Sequence, residues 1–192
     1  MKTIHLDGEE QLRIFSLPLR QRILKTLEKA GRPMTAKQVA DSLCITPSSA
    51  QHHIKKLESI GLVEQDHIEV INGIQARFIR VCDVIVSIGQ QLSDETSGLR
   101  DALAKSSLAE AYEGYQRVVD TARARGEGRT DSGNDIFLEI AHLTEAEARE
   151  LRETVMAYTH KRKRAGEGTT PWRIVYMAYD MALAEGDDGH HD

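Results

Sequence analysis

The sequence predicts an α+β fold, mainly helical, organised around the stretch from Thr35 to Gly73, and three observations carry that prediction. Two helix starts follow each other at turn spacing: Thr35 with Gln38 three residues on, then Thr46 with Pro47 directly behind it. The second start opens a run in which Ala50, Ile54, Leu57 and Ile60 recur at steps of four, three and three, one apolar stripe on a helix. Finally, Asn72-Gly73 separates two β-branched runs, Leu62–Ile71 and Ile74–Val81. A helix, a turn, a second helix and a hairpin, in that order, outline a winged helix-turn-helix. A mixed helix and strand region follows it and is expected to serve dimerisation or sensing.

Taken in order, Met1–Gln11 is polar and is expected to be frayed or a short extension. From Leu12 to Ala30 the residues Ile14, Phe15, Leu19, Ile23, Leu24 and Leu27 repeat at helical steps, with Ser16 and Pro18 marking a restart near Leu17. Gly31-Arg32-Pro33 ends this helix, which should pack across the helix-turn-helix and leave Arg20 and Lys25 for DNA backbone contacts. Thr35 then closes a capping box: its hydroxyl accepts from the third backbone N–H while the Gln38 amide reaches back. Val39, Ala40 and Leu43 give the short helix its apolar face.

Thr46 caps the next helix, and Pro47 sits at its first position, where the missing N–H costs nothing. Counting a hundred degrees per residue puts Ser48, Gln51, His52 and Lys55 on the face opposite the apolar stripe. Hydroxyl, amide and imidazole groups can hydrogen-bond base edges, while Lys55 and Lys56 reach phosphates. Any amphipathic surface helix has a polar outside, so this face gains meaning only from the capped pair before it and the hairpin after it. Gly61 suits the left-handed helix end, and a type I′ turn at Asn72-Gly73 needs positive φ at both central residues. Arg77 and Arg80 lie on the second strand of that wing, within reach of phosphates or the minor groove.

From about Leu17 to Val81 the chain resembles the ArsR-type winged helix-turn-helix regulators of bacteria and archaea. The resemblance rests on Pro18-Leu19-Arg20 with Ile23-Leu24, the Ser/Thr-rich entry Thr46, Ser48 and Ser49, then His52-His53-Ile54, Leu57-Glu58 and Gly61-Leu62-Val63. It covers about a third of the chain. It implies a helical winged module, usually homodimeric, that binds operator DNA and releases it when an effector arrives; within its pattern, His53 packs or caps more often than it reads bases. The DNA-binding set is therefore Thr46, Ser48, Ser49, Gln51, His52, Lys55, Lys56 and Arg77.

Founding members of that family sense metals through thiolates at the start of the helix before the recognition helix. The matching segment here is Pro33-Met34-Thr35-Ala36-Lys37, without a cysteine. Cys44 and Cys82 have no close-spaced partner, whereas a tight thiolate site needs two or more sulfurs in reach. No metal and no cofactor are expected. Cys44 reads as a small buried hydrophobe more readily than as a redox-sensitive thiol.

Beyond the wing, Asp83–Ile88 is a third β-prone run ending at Gly89, and Leu99 to Ala122 forms a long helix. On that helix Leu108, Tyr112, Tyr115, Val119 and Ala122 stand at steps of four, three, four and three, which suits a dimer seam or a domain core. The polar stretch from Gly126 to Asn134 reads as a linker. Ile136–Leu143 alternates as a strand, Thr144 with Glu147 forms another capping box, and a helix should reach about Arg164. The basic run from His160 to Arg164 complements the helix dipole. Pro171–Asp180 reads as a final strand, with helix possible over Tyr176–Ala184, and 186–192 as a disordered tail too loose to hold a metal. Tyr112, Tyr115, Tyr158, Trp172, Tyr176 and Tyr179 could line an organic effector's pocket, although an aromatic core or interface explains them more readily.

Domains are expected at 12–82 and 83–185. The chain carries net charge −5, which argues against nucleic acid until it is divided. Residues 1–82 hold 12 Lys/Arg against 9 Asp/Glu, a net of +3, and residues 83–192 hold 13 against 21, a net of −8. The DNA candidate is the basic half. Nucleophile elbows, phosphate-cradling glycine loops and paired metal-binding histidines are missing, so an enzyme is not expected. With no signal peptide and no membrane span in the sequence, a cytoplasmic protein is expected. The reading is a homodimeric, sequence-specific transcriptional regulator, most naturally a repressor, with a winged-helix protein-interaction module as the competing class.

Overall fold

The computed structural model describes residues 2–6, 8–87, 96–126 and 134–185. The order is β1 (Lys2–His5), α1 (Glu9–Ser16), α2 (Pro18–Ala30), β2 (Met34–Thr35), α3 (Ala36–Leu43), α4 (Pro47–Ser59), β3 (Val63–Ile71), β4 (Ile74–Val81), β5 (Val84–Ser87), α5 (Ser97–Ala124), α6 (Glu145–His160) and α7 (Met181–Glu185). The fold is α+β, mainly helical, with an N-terminal helix-turn-helix. β2, β4 and β3 form a three-stranded antiparallel sheet in that order, and β1 pairs in parallel with β5.

The expected restart is a real break. Leu17 is extended at φ −63°, ψ 123°, and Pro18 opens α2 behind it. A residue before proline is pushed out of the helical region, so α1 must end there. Gly31 closes α2 in the left-handed conformation at φ 61°. Both predicted capping boxes form: Thr35 Oγ1 accepts from Gln38 N while Gln38 Oε1 accepts from Thr35 N at 2.8 Å, and Thr144 pairs with Glu147 in the same way. Asn72 at φ 52° and Gly73 at φ 79° make the wing turn, as a type I′ hairpin requires. Between Gln65 and His67 a bulge shifts the β3–β4 register.

One apolar core unites these elements. Leu6, Leu12, Ile23, Val39, Leu57, Leu62 and Val63 are its largest fully buried side chains. With Ala122 excepted, every buried apolar residue among those described lies between Leu6 and Val84. Leu99 and Leu103 of α5 rest on this core from outside.

Four expectations change. The N-terminal residues are not a frayed extension: β1 pairs with β5, and Leu6 has no exposure at all. Alternation was lacking there, but a parallel strand partner more than 80 residues away supplied the hydrogen bonds. Ile136–Leu143 and Pro171–Asp180 are not strands; Phe137, Leu138 and Tyr179 stand 81%, 89% and 70% exposed. Alternation marks a surface fit for a pleat, but a strand also needs a neighbour to bond, and neither segment pairs with one among the described residues. α6 stops at His160 instead of Arg164. The short β2, which pairs Met34 and Thr35 with Ile79 and Phe78, was not expected. Ile88, Gly89, most of the 126–134 linker and the 186–192 tail lie outside the described residues.

Candidate nucleic-acid interface

The second helix of the helix-turn-helix, and the candidate recognition helix, is α4. Thr46 Oγ1 accepts from Ser49 N at 3.2 Å and lies 3.1 Å from Ser48 Oγ, so the cap and its neighbouring hydroxyl are fixed together. At the other end Gly61 N donates to Glu58 O and Leu62 N to Leu57 O, both at 3.0 Å. These two bonds form a Schellman motif, and the buried Leu57 and Leu62 supply its apolar contact. Ala50, Ile54 and Leu57 are buried, which fixes the rotation of the helix. Thirteen residues give the helix a length of ~20 Å.

With that rotation set, Thr46, Ser48, Gln51, His52, Lys55 and Lys56 are exposed, while Ser49 is half-buried beside the cap it serves. The inward stripe and the outward polar face are therefore as the spacing requires. Among the described residues neither Lys55 nor Lys56 enters an ion pair, so both ammonium groups face solvent. His53 is half-buried, packed edge-on against His52 with ring centroids 5.2 Å apart. Burial, and after it the charge of Arg20 and His52, lowers its pKa from the usual 6.5, so near neutral pH it is uncharged.

The wing and helix cations behave differently from the two lysines. Arg77 pairs with Glu58 of α4 and donates from Nε to Gln65 Oε1 at 2.7 Å, tying β4 to the recognition helix and to β3. Arg80 pairs with Glu64 at 2.7 Å and Asp66 at 3.0 Å. Arg20 donates to the Ile14 carbonyl at 3.0 Å, and Lys25 pairs with Glu110 of α5. The Glu58–Arg77 brace joins residues far apart in sequence, and no local pattern announces it. His67 stacks on Phe78 across the wing at 4.5 Å and pairs with Asp66.

Cys44 is not the buried apolar residue expected: it caps the end of α3 in the left-handed conformation at φ 54°, which leaves its side chain exposed in the turn, whereas Cys82 is buried. Burial, with Glu64 next to it, raises the Cys82 thiol above its ordinary value and disfavours thiolate. Among the described residues no three His, Cys, Asp or Glu side chains cluster as metal ligands. No helix there is long and apolar enough to cross a membrane.

The aromatic residues of the second half do not converge on one cavity. Tyr112 and Tyr115 flank a shallow hollow along α5 with Gln116, Val119, Asp120 and Arg123. Tyr158, Trp172 and Tyr176 are exposed and line neither of the two principal cavities. The larger cavity, about 380 Å³, lies elsewhere, where α2, β5 and α6 meet. Leu24, Leu62, Val84 and Val86 line it with apolar surface, and Lys25, Lys163, Arg173 and His160 bring positive or titratable groups to it. Glu28 shares this lining; desolvation raises its carboxyl pKa against the pull of Arg173, Lys163 and Lys25, although part of the side chain stays open to water. The cavity wall is held by Lys163 donating to the Val84 carbonyl, His160 pairing with Asp83 at 3.0 Å and Ala165 N donating to Gly31 O at 3.1 Å.

Among solved structures, the chain is similar to an apo-form mutant of ZitR from Lactococcus lactis, at 13% identity and a TM-score of 0.29, over 79% of this chain and 89% of that one. No curated protein matches it. Residues 15–66 match a family model described as a helix-turn-helix domain, and it is this domain that presents α4 to solvent.

Proposed function

We propose that the protein is a sequence-specific DNA-binding transcriptional regulator of ArsR-like type, a repressor acting as a homodimer on a palindromic operator. One observation carries this reading: a doubly capped α4, fixed in rotation by Ala50, Ile54 and Leu57, turns Ser48, Gln51, His52, Lys55 and Lys56 outward in a helix-turn-helix domain. In this reading Gln51 and His52 read base edges, Lys55 and Lys56 hold phosphates, and Thr46, Ser48 and Ser49 lie where the helix N-terminus meets the DNA backbone. Two α4 helices entering successive major grooves require half-sites about one helical turn apart. The acidic second half, at net −8, stays off the phosphates by repulsion and keeps the DNA on the basic face.

A small organic effector, in this reading, has the cavity between α2, β5 and α6 as its natural seat. That space touches α2 of the DNA-binding core and α6 of the second half at once, so filling it shifts one against the other. The aromatic set Tyr112, Tyr115, Tyr158, Trp172 and Tyr176 fits an interface better, because Tyr112, Tyr158, Trp172 and Tyr176 are exposed and only Tyr112 and Tyr115 share a hollow.

The test is fluorescence anisotropy on the DNA upstream of the protein's own gene, against a scrambled duplex, over a salt series. Tighter binding to the native duplex with a steep salt slope supports the regulator. Equal, shallow binding to both favours the docking-module alternative, to which winged helices also lend themselves.

A further inference from the structure

The second half of the chain lacks a core of its own. Of the buried apolar residues described, only Val84 and Ala122 belong to it, and Val84 packs into the core of the first half, yet it carries long runs of large apolar side chains in water. Phe137, Leu138 and Ile140 are 81%, 89% and 70% exposed; Ile174, Met177 and Tyr179 are 57%, 65% and 70% exposed. The whole chain exposes 14496 Å². A compact monomer of this mass exposes ~9,200 Å², so the excess is ~5,000 Å². With the compact reference reduced to the 168 described residues, ~8,300 Å², and the other 24 credited with the ~160 Å² apiece of an unfolded chain, the excess is still ~2,300 Å². Obligate dimer interfaces bury about 2,000–5,000 Å² in total, so the uncovered surface is of the size a stable dimer needs.

We infer that residues 136–143 of one copy pair as a β-strand with residues 171–179 of a second copy, and that two-fold symmetry forms this pairing twice. The inference rests on the homodimeric reading above and assigns it a surface. Alternate positions place Trp172, Ile174 and Tyr176 on one face of the second segment and Val175, Met177 and Tyr179 on the other, as in a strand covered on both sides. The first segment puts Ile136, Leu138 and Ile140 on one face and Glu139 among the residues of the other. Charge chooses the pairing. The charged residue between Ile136 and Ala141 is Glu139 and that between Trp172 and Tyr179 is Arg173, so unlike segments attract while like segments would set carboxylate against carboxylate. The contacts of Lys163 and Ala165 with Val84 and Gly31 anchor the start of the second segment on the DNA-binding core. Strand exchange at that point therefore links the spacing of two α4 helices to the sheet between the copies.

Sedimentation velocity on the full chain without DNA tests this, with amide exchange as a second readout. At tens of micromolar the expected species is a dimer of about 43 kDa, twice the 21.5 kDa chain, with amides of 136–143 and 171–179 protected. The double variant Leu138→Lys with Val175→Lys should raise the dimer Kd by about 100-fold or more, lose that protection, and keep the helix-turn-helix amide spectrum. A monomeric wild type overturns the inference, including one whose two segments are protected by pairing within the chain. So does a variant that remains dimeric. A dimer that ignores DNA removes only the regulator reading, and a DNA-binding variant that is still dimeric removes only this surface.

Discussion

Thr46 holds the first turn of α4, since its hydroxyl accepts the Ser49 N–H and lies beside the Ser48 hydroxyl. Thr46→Ala should cost ~1 kcal/mol of stability, read as a shift in denaturant midpoint at unchanged slope. Further along the helix, the exposed side chains divide by chemistry. Gln51→Ala or His52→Ala should narrow the gap between operator and scrambled DNA by ~1–3 kcal/mol, while Lys55→Ala or Lys56→Ala should weaken both alike and lower the salt slope by about one. Equal losses on every duplex from all four substitutions would remove the assigned roles. His53 adds a pH dependence. Its folded pKa is below the unfolded 6.5, so the unfolded chain binds the proton more readily, and stability falls as pH drops through 6.5 towards the folded value. Thermal melts at pH 5.5 and pH 7.5 should differ more in wild type than in His53→Gln.

At the scale of elements, the wing is locked to α4 by Arg77, which the sequence offered as a phosphate contact. The guanidinium is shared between Glu58 and Gln65, so its work in the free protein is to set the wing's angle against the recognition helix. Arg77→Ala should therefore weaken DNA binding and speed amide exchange in β3 and β4 with the salt slope unchanged. A slope lowered by about one would instead show that the ion pair opens and Arg77 reaches a phosphate. Gly31 joins two other elements. It is left-handed, and a Cβ there would meet Ala165 N at 2.5 Å. Gly31→Ala should cost ~1–2 kcal/mol for the backbone alone and, by pushing residue 165 away, expose the Ala165 amide to exchange.

The whole molecule is asymmetric in charge and in packing. The basic half holds nearly all of the core, and the acidic half holds most of the uncovered apolar surface, the wing residues Ile68, Val70, Ile71 and Ile74 supplying most of the rest. Such a chain should act in pairs. A full palindromic site should be bound far more tightly than an isolated half-site of the same sequence, with protection at two positions about 10 base pairs apart in a footprint. The monomeric Leu138→Lys, Val175→Lys variant should bind full and half-sites alike. A wild type that makes no distinction between them would count against paired recognition.

Much of this was legible from residue order because it is local. Capping boxes at Thr35 and Thr144, the Pro18 break, the Gly31 and Gly61 helix ends and the Asn72-Gly73 turn each need only a few neighbouring residues, and all formed where the chemistry put them. The stripe of Ala50, Ile54 and Leu57 fixed which side of α4 faces out for the same reason: helical periodicity is a short-range property. Tertiary structure decided what depends on a distant partner. It placed β1 beside β5, bound Arg77 to Glu58, opened a cavity beneath α6, and left 136–143 and 171–180 without strand pairing among the described residues. Alternating apolar residues state that a segment can be a strand; only a neighbour with free hydrogen-bonding groups makes it one, and that neighbour is not written in the segment itself.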